Sequence, residues 1–155
     1  WNSVHRIKIH QGEIAALDVE AIVSSRRPEM DNAVIPNNKH CSSALSVGNV
    51  VVVADSGKIV LEAIGPFWRG GEHEEEQLLA SCYSNAMSIA KQHNVRSIAF
   101  TPISCGPFGF PANRASRIAV EEVILALRRN PLIESVVFCC FDPVTTALYR
   151  TLVGK

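Results

Sequence analysis

Ser97-Ile-Ala-Phe-Thr-Pro-Ile-Ser-Cys-Gly-Pro-Phe-Gly-Phe-Pro111 joins an apolar run to a glycine-containing loop and a proline at a helix start. Its first half, Ser97 to Ile103, is a short apolar run that reads as a buried strand. Gly106 and Gly109 then break any regular pattern, and Pro111 opens a helical period running to Arg129. In that helix Ala115, Ile118, Ala119, Val123, Ala126 and Leu127 share one stripe. A strand, a glycine-containing loop and an amphipathic helix in succession make one half of a parallel βαβ unit.

The same grammar continues on both sides. Downstream, Val136 to Phe141 is a last strand, and Asp142-Pro143 opens a last helix with Asp as N-cap and Pro at the first helical position. Upstream, Leu78, Leu79, Cys82, Tyr83, Ala86, Ile89 and Ala90 recur at helical spacing. Gly70-Gly71 precedes that helix, and Glu72, Glu74, Glu75 and Glu76 suit the positive end of its dipole. Val50 to Ala54 and Lys58 to Ile64 read as two strands of a hairpin joined at Asp55-Ser56-Gly57. Val4 to His10 and Ala21 to Val23 supply two earlier strands, and residues 26 to 48 are the least regular part, with only a weak turn around Ser42 to Leu45. Strands first in a cluster and then alternating with helices predict a three-layer α/β/α domain with a mixed, mostly parallel sheet.

Composition bounds the rest. A chain of 155 residues, 47% apolar and 19% charged, builds one hydrophobic core, so residues 1–155 are expected to be a single domain. Opening at Trp1, it is expected to be a piece of a longer protein. Fifteen basic residues balance fifteen acidic ones, so no global field draws it to nucleic acid or to a membrane. Five cysteines, with Cys139 and Cys140 adjacent and Cys41, Cys82 and Cys105 scattered, form no CxxC pair. Free thiols and an intracellular setting, nuclear or cytoplasmic, are expected. The five histidines show no ligand spacing, so neither a metal nor a cofactor is expected.

The loop after the strand at Ser97 holds the best candidates for chemistry. Ligands of such sheets gather at the carboxyl ends of strands, and glycines let successive N–H groups turn toward an anion. Phe108 and Phe110 either cover a ribose or base, or merely cap the core. Cys105 before a helix reads as a small loop residue, with a thiol nucleophile as the alternative. Arg114, Arg117 and Arg128 give one helix a basic stripe that is either solvated or a nucleic-acid contact.

Ile103-Ser-Cys-Gly-Pro-Phe-Gly-Phe-Pro111 resembles the second phosphate-binding loop of macrodomains, the ADP-ribose-binding α/β modules. Gly12-Glu13-Ile14, Glu20-Ala-Ile-Val23, Ala63-Ile-Gly-Pro-Phe-Trp68, Cys82-Tyr83-Ser84-Asn85, Ser97-Ile-Ala-Phe100 and Phe141-Asp142 with Tyr149 follow that family in order over nearly the whole chain. The resemblance implies that Glu13 and Ile14 recognise adenine, with Glu in place of the usual Asp, and that Phe141 packs on the base. It implies that Ser104, Cys105, Gly106, Phe108 and Gly109 hold the diphosphate and distal ribose, with Phe110 beside them. Asp142 is sufficiently explained as a helix cap.

Two departures bear on function. Pro107 lacks a backbone N–H, which removes one phosphate donor and about 1.5–3 kcal/mol of hydrogen bonding. In the first loop, the family's Asn-rich and glycine-rich run is replaced by Ser24-Ser-Arg-Arg-Pro-Glu-Met-Asp-Asn-Ala-Val34, with no glycine between Gly12 and Gly48. That connection reads as shortened, and Arg27 stands where hydrolytic members place an Asn. Arg26 and Arg27 either bind phosphate by charge or are solvated loop residues. Asp31 is not assigned a catalytic role. The expected function is therefore a non-hydrolytic module that binds ADP-ribose, or a related nucleotide, on modified proteins. The alternatives are a scaffold for protein or nucleic-acid contacts and, third, a mono-ADP-ribosyl hydrolase.

Overall fold

In the computed structural model, which describes residues 3–26, 47–72, 74–104 and 109–154, six strands pair into one sheet. They are β1 (Ile7–Gln11), β2 (Ala21–Arg26), β3 (Val50–Ser56), β4 (Lys58–Ile64), β5 (Ser97–Phe100) and β6 (Ser135–Cys140), in the order β1-β6-β5-β2-β4-β3. Every neighbouring pair is parallel except β3 with β4, the hairpin expected around Gly57. Three helices among the described residues complete the frame: α1 (Glu75–Gln92), α2 (Ala112–Arg129) and α3 (Pro143–Val153).

Strand alternation divides the apolar side chains between two faces. Ile7, Ala21, Val23, Leu61, Ala63, Ile98, Phe100, Val136, Phe138 and Cys140 face the helices. Leu79, Cys82, Tyr83 and Ala86 of α1, Ala115, Ala119 and Val123 of α2, and Tyr149 and Val153 of α3 meet them there. On the opposite face Ala99 and Val137 pack with Val19, against Ile14, Leu17 and Ile22. The central strands β5 and β6 are covered on both sides, which is why they read as unbroken apolar runs. Cys139 and Cys140 point to opposite faces, as their adjacency in a strand requires, and both are buried.

Several element ends differ from the expected ones, each for a local reason. The first strand begins at Ile7, because Ser3–Arg6 form a 3-10 turn. Arg6 is anchored there by its guanidinium, which donates to the carbonyls of Leu127 (2.7 Å), Ile133 (2.7 Å) and Asn130 (3.3 Å). β5 stops at Phe100 rather than Ile103: the Thr101 N–H still bonds Val23 O, but Pro102 has no N–H to continue the ladder. The helix expected from Glu72 starts at Glu75, since Gly70, Gly71 and Glu74 all take positive φ. Pro111 is the N-cap of α2, whose inner stripe runs through Ser116 and Val120 and leaves Ile118 and Ala126 half-buried. Asp142 caps α3 as expected, accepting from the Thr145 N–H at 2.7 Å.

The topology has one switch point. From β2 the chain goes to β3 and β4 on one side of the sheet; from β5 it goes to β6 on the other. The carboxyl ends of the neighbouring strands β2 and β5 meet at this point, the place where ligands of open α/β sheets bind.

Candidate functional site

Five parallel strands end along one edge of the sheet, and Glu13, Ile14, Ser104 and Phe141 follow strand ends there. At the β1 end, the Gly12 N–H donates to Cys140 O at 2.9 Å, and Glu13 and Phe141 each follow one residue beyond that bond. The Cys139 thiol donates to Gly12 O at 3.2 Å and fixes the same turn from beneath. Burial pushes that thiol's pKa up, which keeps it a neutral donor. Glu13 is exposed and precedes the 3-10 turn Ile14–Ala16, and Ile14 is half-buried against the second face. Phe141 is 66% exposed, a large apolar ring on the surface at the mouth of the sheet.

At the switch point the chain after β5 makes a strained turn. Ser104 is fully buried yet has φ of 67°, a left-handed conformation that costs a non-glycine residue about 1–3 kcal/mol. Its N–H donates to the Ser25 hydroxyl near the end of β2 at 3.2 Å, tying the turn to that strand. Its carbonyl accepts from the Phe110 N–H at 3.1 Å, closing the loop on itself. The preceding Ile103 N–H donates to the Tyr83 hydroxyl from α1 at 3.2 Å. Ser104 Oγ has no hydrogen-bond partner among the described residues.

The remaining candidates divide. Gly109 is exposed at φ of 80°, a position that favours glycine. Phe110 is only 3% exposed, with its ring 4.8 Å from that of Trp68, so of the two expected roles the structure places it in the core. Arg26 ends β2, its backbone in register with Ile64. Arg27, Cys105, Gly106, Pro107, Phe108, Asp31 and Cys41 lie outside the described residues. Two groups carry more than the sequence suggested. Tyr83 sat in a quoted motif without a role, and Glu75 counted only as a dipole-facing carboxylate. Glu75 is 1% exposed and accepts from the Arg69 and Gly71 N–H groups at 2.7 and 3.1 Å. A carboxylate four residues past a Gly-Gly pair was the one available signal. Among the described residues no three His, Cys, Asp or Glu side chains gather as metal ligands, and no helix is long and apolar enough to cross a membrane.

The family model described as Macro domain matches residues 28–119, more than half of the chain. The chain belongs to the macrodomain family. A macro domain-containing protein of Mesorhizobium japonicum is 32% identical to this macrodomain, over 98% of the chain and 96% of the relative. An O-acetyl-ADP-ribose deacetylase of Salmonella newport is 34% identical over 97% of the chain and 95% of its own length. Among solved structures, a mutant Oceanobacillus iheyensis macrodomain with ADPR superposes with a TM-score of 0.76 at 25% identity, covering 94% of this chain and 90% of that one. The mixed, mostly parallel sheet and its helices are thus the macrodomain's α/β fold.

Proposed function

We propose that this macrodomain is a binding module for ADP-ribose, free or attached to protein. The observation that carries the reading is that exposed Glu13 and Phe141 follow the paired ends of β1 and β6 while the strained Ser104 turn follows β5 at the switch point. An exposed aromatic ring and a carboxylate at that edge suit an adenine, the ring stacking on its face and the carboxylate accepting from its exocyclic amine. The second loop then meets the diphosphate with backbone N–H groups. The solved Oceanobacillus iheyensis macrodomain mutant with ADPR supports the same ligand.

Among the described residues, Cys82 and Cys139 are thiols in no disulfide, which fits a nuclear or cytoplasmic setting. Protein and nucleic-acid partners beyond the ligand belong to the same proposal only through the modified protein that carries the ADP-ribose.

A second reading, hydrolysis of an acyl or ADP-ribosyl bond, is favoured by relatives named O-acetyl-ADP-ribose deacetylase. Against it stands the first loop, where the resemblance sets Arg27 against the Asn of hydrolytic members. The alignments run over 168 to 173 positions against 155 residues, so the relatives carry segments without counterpart here. Calorimetric titration with ADP-ribose, with AMP for comparison, tests the binding reading. Micromolar affinity that needs the diphosphate is expected, and Gly106→Glu, which adds bulk and negative charge at the phosphate site, is expected to abolish it. No heat up to millimolar ADP-ribose sinks the reading. Turnover of O-acetyl-ADP-ribose by the wild type would install the second.

A further inference from the structure

The loop from Gly65 to Gly71, between β4 and α1, grips the second ligand loop at both of its ends. At the entrance Gly65 lies directly under Ser104: a Cβ there would collide with Ser104 Oγ and approach Ile103 Cγ2 to 3.0 Å. At the exit the Trp68 ring stands 4.8 Å from that of Phe110, and a Cβ on Gly109 would touch Trp68 Cβ at 3.8 Å. The indole is held from its other sides as well. The Arg114 guanidinium sits 5.4 Å from the ring centroid, and Gly71 packs so closely that a Cβ there would come within 2.9 Å of Cη2.

What shapes this gripping loop is a buried carboxylate. Glu75, in the first turn of α1, accepts the Arg69 and Gly71 N–H groups through one oxygen. Hydrogen bonds to an ionised acceptor are roughly twice as strong as neutral ones, and removing the acceptor would strand two amides.

We propose that Glu75 and Trp68 are positioning residues for the second ligand loop. Glu75 sets the curve of residues 65–71, and Trp68 sets where Gly109 and Phe110, the exit of that loop, stand. Neither touches the ligand. The assignment deepens the ADP-ribose reading and rests on it for its ligand arm.

The test uses Trp68→Ala, Trp68→Phe, Glu75→Ala and Glu75→Gln, each with two readouts. Amide hydrogen exchange in the free protein reads the Phe110 N–H directly, and titrations with ADP-ribose and AMP read the site. In Trp68→Ala and Glu75→Ala the Phe110 amide is expected to exchange faster, while Gly12 keeps its wild-type protection. ADP-ribose affinity is expected to fall roughly tenfold, the lower end of what outer-layer partners contribute at metal sites, with AMP affinity unchanged. Trp68→Phe and Glu75→Gln, which keep a ring and an acceptor oxygen, are expected to restore most of both. Wild-type exchange at Phe110 in both alanine variants overturns the proposal. So does an equal loss of affinity for both ligands, which would mark general destabilisation. A wild type that binds no ADP-ribose sinks the functional reading instead, and the exchange data still decide whether the grip exists.

Discussion

At the scale of single residues, the site is built from groups that the fold holds at a cost. Ser104 combines positive φ with a buried hydroxyl, two unfavourable features at the switch point, and strain of that kind persists where surrounding structure over-determines it. Gly65 is part of that surrounding structure. Gly65→Ala is expected to lower stability by about 1–3 kcal/mol, the usual penalty of overpacking, and to weaken ADP-ribose binding by displacing Ser104. Urea unfolding and titration of the same variant check both effects; an unchanged unfolding midpoint would mean the packing under Ser104 is soft. Cys82 illustrates the opposite, a residue made inert. Burial pushes its thiol from 9.0 up to about 12, against a smaller lowering by its hydrogen-bonding to backbone. Between these two values the folded state keeps a proton that the unfolded state has lost, so this group's contribution to stability falls as pH rises from about 9 to about 12. Below that window it is constant. Maleimide at about pH 8 is therefore expected to leave Cys82 unlabelled until urea unfolds the chain, as read by peptide mass spectrometry.

At the scale of elements, ends matter more than middles. α2 is long and strongly amphipathic, yet its carboxyl end depends on a residue more than a hundred positions earlier. Arg6 donates to Leu127, Asn130 and Ile133 carbonyls, which lie in and beyond the last turn. Hydrogen bonds from a charged donor contribute about 1.5–3 kcal/mol, so Arg6→Ala is expected to cost about that much. A lower urea midpoint at unchanged m-value checks it; a changed m-value would point to fraying of the unit instead. α1 similarly reaches out from its buried face. Asn85 Nδ2 donates to Gly48 O at 2.8 Å and the Cys82 thiol to Ile64 O at 3.4 Å, fixing the ends of the β3–β4 hairpin.

At the scale of the whole molecule, binding and stability are coupled. A ligand that binds the folded state alone stabilises by mass action, roughly 2.7 kcal/mol at a hundredfold excess over Kd. For a chain of this size, that raises Tm by about 5–10 °C. Differential scanning calorimetry with ADP-ribose is expected to show the shift, and an unmoved Tm at millimolar ligand would contradict the binding reading. The fold's legibility in the chain was uneven at this scale. The parallel core, the hairpin at Gly57 and the cap at Asp142 could be read because period, turn chemistry and capping are local. The start of β1, the end of β5 and the start of α1 were misplaced by a few residues. The start of β1 follows the 3-10 turn held by Arg6's distant partners, and the start of α1 follows backbone signs that composition does not reveal. The end of β5 follows from Pro102 interrupting an otherwise apolar run.

Hydrophobic period and motifs in chain order, both properties of neighbouring residues, were enough for the family, the succession of strands and helices, and the placement of Glu13, Phe141 and the Ser104 turn at strand carboxyl ends. Folding was needed to show that Phe110 is core, that Ser104 is strained and bonded to Ser25, that Glu75 accepts the Arg69 and Gly71 amides and that Trp68 packs on Phe110. These are contacts between segments brought together by the sheet order, and whether a ring or a carboxylate is buried is settled only when its neighbours from elsewhere in the chain arrive.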